Sequence, residues 1–316
     1  MKKTVISMIL GLMIFSSTQC YAENGISGTC KWNIDDNGVL TIEPEKGESG
    51  TLENWNNDAP WWRSKSDIKE VKFKKKVIAT TCYGMFTYCN NLRSADLTGL
   101  DTKKVKDMSY MFNRCSNLVE INAKSLNTSN VENMNAMFQE CKSLKNIDVS
   151  GWNTTNVKYM SLTFSLCSSL TCLNLTKWNT SNVVSMSFMF QSCEKLTSLN
   201  LTNFNTSKVK SMNNMFFNCK KLITIFSNAT TPSTLKAETF DTLPTINKCK
   251  LQVPTASVAK YKAAAGWKKL LVVTAGIESV RTSANNTNKI YNLNGQCISG
   301  NVKGITIKNG KKYLVK

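Results

Sequence analysis

The chain has 316 residues, of which 41% are apolar, and it contains no histidine. This suits one large or two ordinary folded domains, and it excludes every triad, dyad or metal site that needs an imidazole. The net charge of +19 is unevenly placed: residues 246–316 hold 13 Lys/Arg against one acid, Glu278, whereas residues 23–76 are nearly balanced.

Residues 1–22 read as a secretory signal. Lys2 and Lys3 form the positive start, residues 5–15 the apolar core, and Cys20 and Ala22 stand at the small-residue positions before a cut. Cleavage is expected after Ala22, leaving 294 residues and 11 cysteines. Acylation at Cys20 is the competing route, although a lipobox wants a small residue where Gln19 stands. Either route predicts a secreted or cell-surface protein on the exterior of the outer membrane. No later stretch is long and apolar enough to span a bilayer. In such a location, anionic glycans or an acidic membrane surface suit the basic C-terminal part better than nucleic acid does. Residues 23–76 follow as an N-terminal capping region, with Trp32, Trp55, Trp61 and Trp62 as covering surface.

Residues 77–226 repeat every 26 residues without insertion. The ladder runs Phe86, Phe112, Phe138, Phe164, Phe190, Phe216 and, three residues on, Cys89, Cys115, Cys141, Cys167, Cys193, Cys219. Leu92, Leu118, Leu144, Leu170, Leu196 and Leu222 keep the same step, as do Val105 to Val209 and Met108 to Met212. Met precedes the Phe in every unit but one, where Thr163 stands. In the unit that begins at Met137, alternation at Ile147 and Val149 predicts a short strand, and the three- and four-residue spacing of Phe138, Cys141 and Leu144 predicts a short helical or 3₁₀ turn. One unit cannot bury both stripes alone, so stacked coils are expected: a leucine-rich-repeat-like solenoid with a parallel β-sheet on one face. Asn127, Asn153, Asn179, Asn205 and Asp101 fall where side chains bond turn backbone.

Residues 227–274 are expected to cap the far end, since an open array leaves an unpaired edge and a bare apolar coil. Residues 275–288 read as a linker. Residues 289–316, with strand-like segments at 290–293, 304–307 and 311–315, read as a small β-meander.

The 26-residue unit resembles the repeat of bacterial surface proteins in the BspA-like leucine-rich-repeat family. Residues 27–42, Ala59 to Trp61, and the segment from Leu251 to Lys268 are similar to the flanks of such arrays, and residues 289–316 resemble C-terminal modules of secreted Bacteroidetes proteins that act in sorting or anchoring. The resemblance implies adhesion to host matrix proteins, host cells or other bacteria.

Candidate sites follow from the repeat. Glu120, Asn122, Asn146, Asp148, Asn174, Ser198 and Asn200 take outward strand positions and form a polar face for recognition, or simply a solvated one. Trp152, Trp178 and Phe204 share the slot of Leu100 and Leu126, either as a stacking platform for sugars or as core filling at the rim. The ladder cysteines suit a buried apolar slot better than disulfides or metal, because stacked neighbours sit about 4.8 Å apart with parallel Cα–Cβ bonds. Cys172 lies at an outward position and is expected to be the more exposed thiol, whereas Cys30, Cys249 and Cys297 have no evident partner. Asp96, Glu120 and Asp148 stand in separate units, not as the carboxylate pair of a glycosidase. The sequons at Asn127 and Asn174 read as turn chemistry, and there is no phosphate-binding loop. The expectation is a non-enzymatic binding protein without cofactor or metal, its partner a host or bacterial surface protein, or alternatively a glycan taken up for nutrition.

Overall fold

The computed structural model describes residues 23–55, 58–232, 235, 239–240 and 242–274, together with the backbone of four strands between 290 and 315. The expected signal segment with its cleavage and acylation sites, the linker at 275–288 and the Cys297 side chain lie outside the described residues.

Strands β1 (Glu23–Ser27), β2 (Cys30–Ile34) and β3 (Val39–Pro44) pair antiparallel at the N-terminal end. Their buried residues alternate, as a half-covered sheet requires. From β3 the pairing becomes parallel, through β5 (Glu70–Phe73), β7 (Ser94–Asp96) and β9 (Glu120–Asn122). A second parallel row joins β4 (Ser49–Thr51), β6 (Lys76–Ile78) and β8 (Leu100–Asp101). Further on, β10 (Ser198–Asn200), β11 (Thr224–Phe226), β12 (Lys250–Val253) and β13 (Leu271–Thr274) form a third parallel sheet. Ser94 pairs with Glu120, Ser198 with Thr224, and Thr224 with Lys250, each one 26-residue period apart. The region expected only to cap the array therefore continues its sheet by two strands. One short helix, Val258–Ala263, follows β12.

The sheet is not continuous, as the repeat had predicted. No strand forms at 146–148 or 172–174. Both gaps fall in coils whose next slot holds an indole, Trp152 or Trp178, where neighbouring coils have leucine or phenylalanine. The coils stay joined there on the opposite limb, where single bridges link Asp107, Asn133, Tyr159, Ser185 and Ser211 in parallel register.

That opposite limb is a chain of tight turns, not the helical or 3₁₀ turn expected. In the Phe112 coil, the N–H groups of Met111, Asn113 and Cys115 bond back three residues, to Met108, Tyr110 and Phe112. The alternate N–H groups of Met108, Tyr110, Phe112 and Arg114 donate to Asn133, Asn135, Met137 and Gln139 of the next coil. Two residues per coil are left-handed to permit this: Tyr110 and Arg114, then Ala136 and Glu140, Leu162 and Leu166, Phe188 and Ser192, Asn214 and Asn218. Gly84 takes the first such position in the Phe86 coil and Tyr88 the second. A left-handed residue costs about 1–2 kcal/mol unless it is glycine, and it cannot continue a right-handed helix. Pairing of the alternating N–H groups offsets that cost. At the first coil, the carbonyls of Tyr83 and Met85 accept from the indole N–H groups of Trp55 and Trp61, both at 2.8 Å.

The core is a stack of rings. Phe112, Phe138, Phe164, Phe190 and Phe216 are fully or almost fully buried, with centroids 5.6–6.1 Å apart and planes within 12°. These separations exceed the roughly 4.8 Å between paired strands, so the rings are slipped sideways, as their quadrupoles prefer. Phe240 extends the stack at 5.3 Å and Trp267 closes it. At the other end Trp61 stacks on Phe86 at 5.8 Å, with Trp32 and Trp55 packed edge-on against it.

The last four strands, Ile290–Asn292 (β14), Cys297–Ile298 (β15), Gly304–Lys308 (β16) and Lys311–Val315 (β17), form an antiparallel sheet in the order β15-β14-β16-β17. The three strands expected from sequence pair antiparallel in chain order, β14-β16-β17, as in a meander, and β15, not foreseen, adds a fourth strand on the other side of β14.

Two substitutions test this core and backbone. Phe138→Ala removes one ring from the middle of the stack and is expected to cost roughly 3–5 kcal/mol in urea unfolding, with hydrogen exchange rising first in the adjacent coils. Ala136 is buried with φ 54°. Ala136→Gly is expected to leave stability unchanged or raise it by up to about 1 kcal/mol, whereas Ala123→Gly, at a buried position without that geometry, should lower it by about 0.5–1 kcal/mol. Equal losses from the two would refute the strain account.

Candidate binding surface

Strand residues facing away from the stack were the expected recognition face. Glu120, Asn122 and Asn146 are exposed, and Asp148, Asn174, Ser198 and Asn200 are half-buried. Much of this row braces the coil itself. Asp148 accepts from the N–H and the hydroxyl of Ser150, at 3.0 and 2.6 Å. Asn174 does the same for Thr176, and Asn200 accepts from the N–H of Thr202. Asn122 donates to Asp96 and Thr98 of the preceding coil. The Thr98 hydroxyl and N–H at Asp96 hold that carboxyl below its ordinary range. Asp101 is lowered likewise, by the Lys103 N–H and then by Lys76. Glu120 keeps its carboxylate in the open.

The aromatic slot is core rather than platform. Trp152 and Trp178 are 1% and 0% exposed, and their indole N–H groups donate to the carbonyls of Ala123 and Val149, each 29 residues earlier. Neither presents a face to a ligand. Phe204 is half-buried against the core. Cys172 is the most exposed of the described thiols, as expected, at 8% against 0–1% for the others, and Leu173 and Leu175 beside it are buried in the core; even so it is largely covered. Its small side chain sits beneath its neighbours on the sheet face, with the sulfur 3.9 Å from the Asn146 amide oxygen.

The ladder cysteines are buried and free of disulfides. Each thiol from Cys115 to Cys219 donates to the carbonyl of the phenylalanine 29 residues earlier, at 3.0–3.2 Å. Cys30 and Cys249 are buried too. Thr163, which replaces the usual methionine, donates to Met134 and Met160 carbonyls. Threonines make a further stitch: Thr154 donates to the Asn179 carbonyl and accepts the Asn179 N–H, and Thr180 treats Asn205 in the same way. The stitch runs out at Thr206, whose hydroxyl is buried without a partner. It lines a cavity of about 370 Å³ with Phe204, Phe216, Phe240 and Trp267.

The residues missed from sequence, Tyr83, Tyr88, Tyr110 and Arg114, lie on the turn limbs of the first two coils, against Trp62 and Lys65 of the N-terminal cap. Trp62 meets Tyr88 edge-on at 5.9 Å, and the Arg114 guanidinium lies 4.9 Å above the Tyr88 ring. Lys65 caps Trp62 at 4.0 Å. Tyr83 meets Tyr110 at 5.9 Å. Tyr88 and Tyr110 remain 37% and 39% exposed. The available signal was the residue just before each Met and each Cys, where Gly84, Asn214 and Asn218 mark a left-handed position and the tyrosines are the exceptions.

Thiol burial sets an alkaline limit on stability. Burial pushes Cys89, Cys219 and Cys249 up to about 12 from an ordinary 9.0, and also raises Cys115, Cys141, Cys167 and Cys193. The folded value lies above the unfolded one, so this stability is whole below pH 9 and drains as pH rises toward 12, where only the unfolded chain ionises. Cys219→Ala is expected to flatten the slope of stability against pH in that window by about 1.4 kcal/mol per pH unit, read from urea unfolding. An unchanged slope would refute it.

Comparison with known proteins places the array. A solved leucine-rich repeat protein from Eubacterium ventriosum aligns with 84% of this chain and 99% of its own at 16% identity, with a TM-score of 0.28. No curated protein sequence matches the chain significantly. A family model described as "Mycoplasma protein of unknown function, DUF285" matches residues 80–173 and 172–248, which covers the 26-residue units and more than half the chain, and the protein belongs to that family.

Proposed function

We propose that this protein is a non-enzymatic binding scaffold, secreted and held on the outside of a bacterial cell, that adheres to a protein of a host surface or of another bacterium. In this reading the stacked coils are a leucine-rich-repeat-like solenoid of the BspA type found in Bacteroidetes. The observation that carries it is the alignment of outward side chains: equivalent positions repeat every 26 residues in straight rows over a buried ring stack, as in the ion-paired column Lys106, Glu132, Lys158. A rigid surface loses little freedom on binding, which favours affinity. The alternative, a glycan-binding module for nutrient capture, loses its main support because Trp152 and Trp178 are buried. Residues 275–316 then act in display or attachment, apart from ligand binding.

The test is binding of the purified protein to immobilised extracellular-matrix and cell-surface proteins beside a glycan array. Saturable binding to a protein is expected, retained after deletion of 276–316 and only moderately weakened by salt. Binding confined to glycans would overturn the adhesion reading. Loss of binding on deletion of 276–316, with a steep salt dependence, would place the ligand on the basic tail instead.

A further inference from the structure

We propose that the outward face of the first two turn limbs, formed by Tyr88, Arg114 and Tyr110 with Trp62 of the adjoining cap, is a docking surface for an acidic polypeptide segment. This rests on the scaffold reading above and names the surface and the charge of its partner.

The first observation is the backbone. Tyr88 and Tyr110 have φ 61° and 60°, left-handed values that bulky residues seldom adopt. Their rings gain little burial in return, at 37% and 39% exposure. The same two slots in the Phe216 coil hold Asn214 and Asn218, the residue type that enters this region most readily after glycine. The chain thus keeps two exposed rings against its own backbone preference. Every coil has two such positions, filled elsewhere by residues such as Leu162, Leu166 and Phe188, so it is the pair of exposed tyrosine rings that sets the first two limbs apart.

The second observation is geometry. Each tyrosine is already held by another ring, Tyr88 by Trp62 and Tyr110 by Tyr83, both at 5.9 Å. Rings fixed before contact lose little freedom when a partner arrives. Trp, Tyr and Arg are also the residue types that dominate binding energy at protein interfaces.

The third observation is charge. Lys65 stands 4.0 Å from the Trp62 ring centre and Arg114 4.9 Å from that of Tyr88. Glu140 pairs with Arg114 at 3.1 Å, and Asp67 is an exposed acid two residues after Lys65. Both stacked cations lie directly against aromatic faces. A partner bearing carboxylates next to apolar groups complements both features.

The experiment uses the full chain and an immobilised copolymer of glutamate and tyrosine as the acidic polypeptide, with heparin as the anionic-glycan probe. The variants are Tyr88→Asn with Tyr110→Asn, and Arg114→Gln. The asparagine pair leaves the net charge and the basic tail untouched, and it suits the left-handed backbone, so its melting temperature is expected to rise. Its affinity for the copolymer is expected to fall on the order of tenfold or more, and Arg114→Gln is expected to weaken binding as well. Equal binding by the wild type and the asparagine pair would overturn the proposal and move the interaction to the basic tail. So would failure of the wild-type chain to bind the copolymer, or a preference for heparin that the same variants abolish. The two readings fail separately. If the asparagine pair still holds matrix proteins as the wild type does, the scaffold stands and this surface is not its site. If the wild type binds no surface protein at all, the scaffold reading itself falls.

Discussion

One ring per coil, in one slot, is the constraint on which the rest depends. From Trp61 to Trp267 the aromatic stack passes through every unit, each ring meeting the one before and the one after, with Trp152 and Trp178 packed beside Phe138 and Phe164. A single inserted residue would carry a phenylalanine out of line and leave its two neighbours facing a void. The interior is close-packed, so such a void is not absorbed elsewhere. This accounts for the strict 26-residue step, for the fully buried Cys and Leu beside each ring, and for tryptophans at both ends, where the stack must meet something unlike itself.

Polar side chains serve the same stack. Between the rings and the solvent, each coil must satisfy backbone groups that neither a helix nor a full sheet takes up. Thiols, threonine hydroxyls, indole N–H groups and Asp/Asn side chains do so, most of them reaching one coil back or forward. Few outward side chains are left unengaged as a result. The face that looked richest in hydrogen-bonding residues is the one most occupied with holding its own turns.

The period made the inward slots legible, because hydrophobic spacing reports which side chains avoid water. It said less about the path of the backbone between those slots. Phe138, Cys141 and Leu144 fit a helical spacing equally well when a run of tight turns brings them to one side. The left-handed positions were visible only through Gly84, Asn214 and Asn218, and four of the six units disguise them with other residue types at both positions. Strand gaps at 146–148 and 172–174 fall in the units that carry Trp152 and Trp178, where alternation reads the same as in the units that do form strands. Cys172 shows the same limit from the other side: its phase was readable, but its shelter under neighbouring side chains was not.

The alternating turn limb has an electrical consequence. In the Phe112 coil the four bonds from the N–H groups of Met108, Tyr110, Phe112 and Arg114 run one way, to carbonyls of the next coil, against the return bonds from Glu132 and Asn133 to Lys106 at the start of the limb, and the limbs that follow repeat the arrangement. In an ordinary sheet the peptide dipoles alternate and cancel. Here they add along the array, as they do along a helix axis, where aligned units of about 3.5 D act as a partial charge at each end. The first coil turns the Tyr83 and Met85 carbonyls toward the N-terminal end, whereas in the Phe216 coil the Asn218 N–H is taken up by the Thr242 carbonyl. The indoles of Trp55 and Trp61, which donate to the Tyr83 and Met85 carbonyls, therefore do more than cover apolar surface. They close the negative pole of a molecule whose two ends are not interchangeable. A second copy could continue the limb only head to tail, and at the N-terminal end those two tryptophans already occupy the place where it would join.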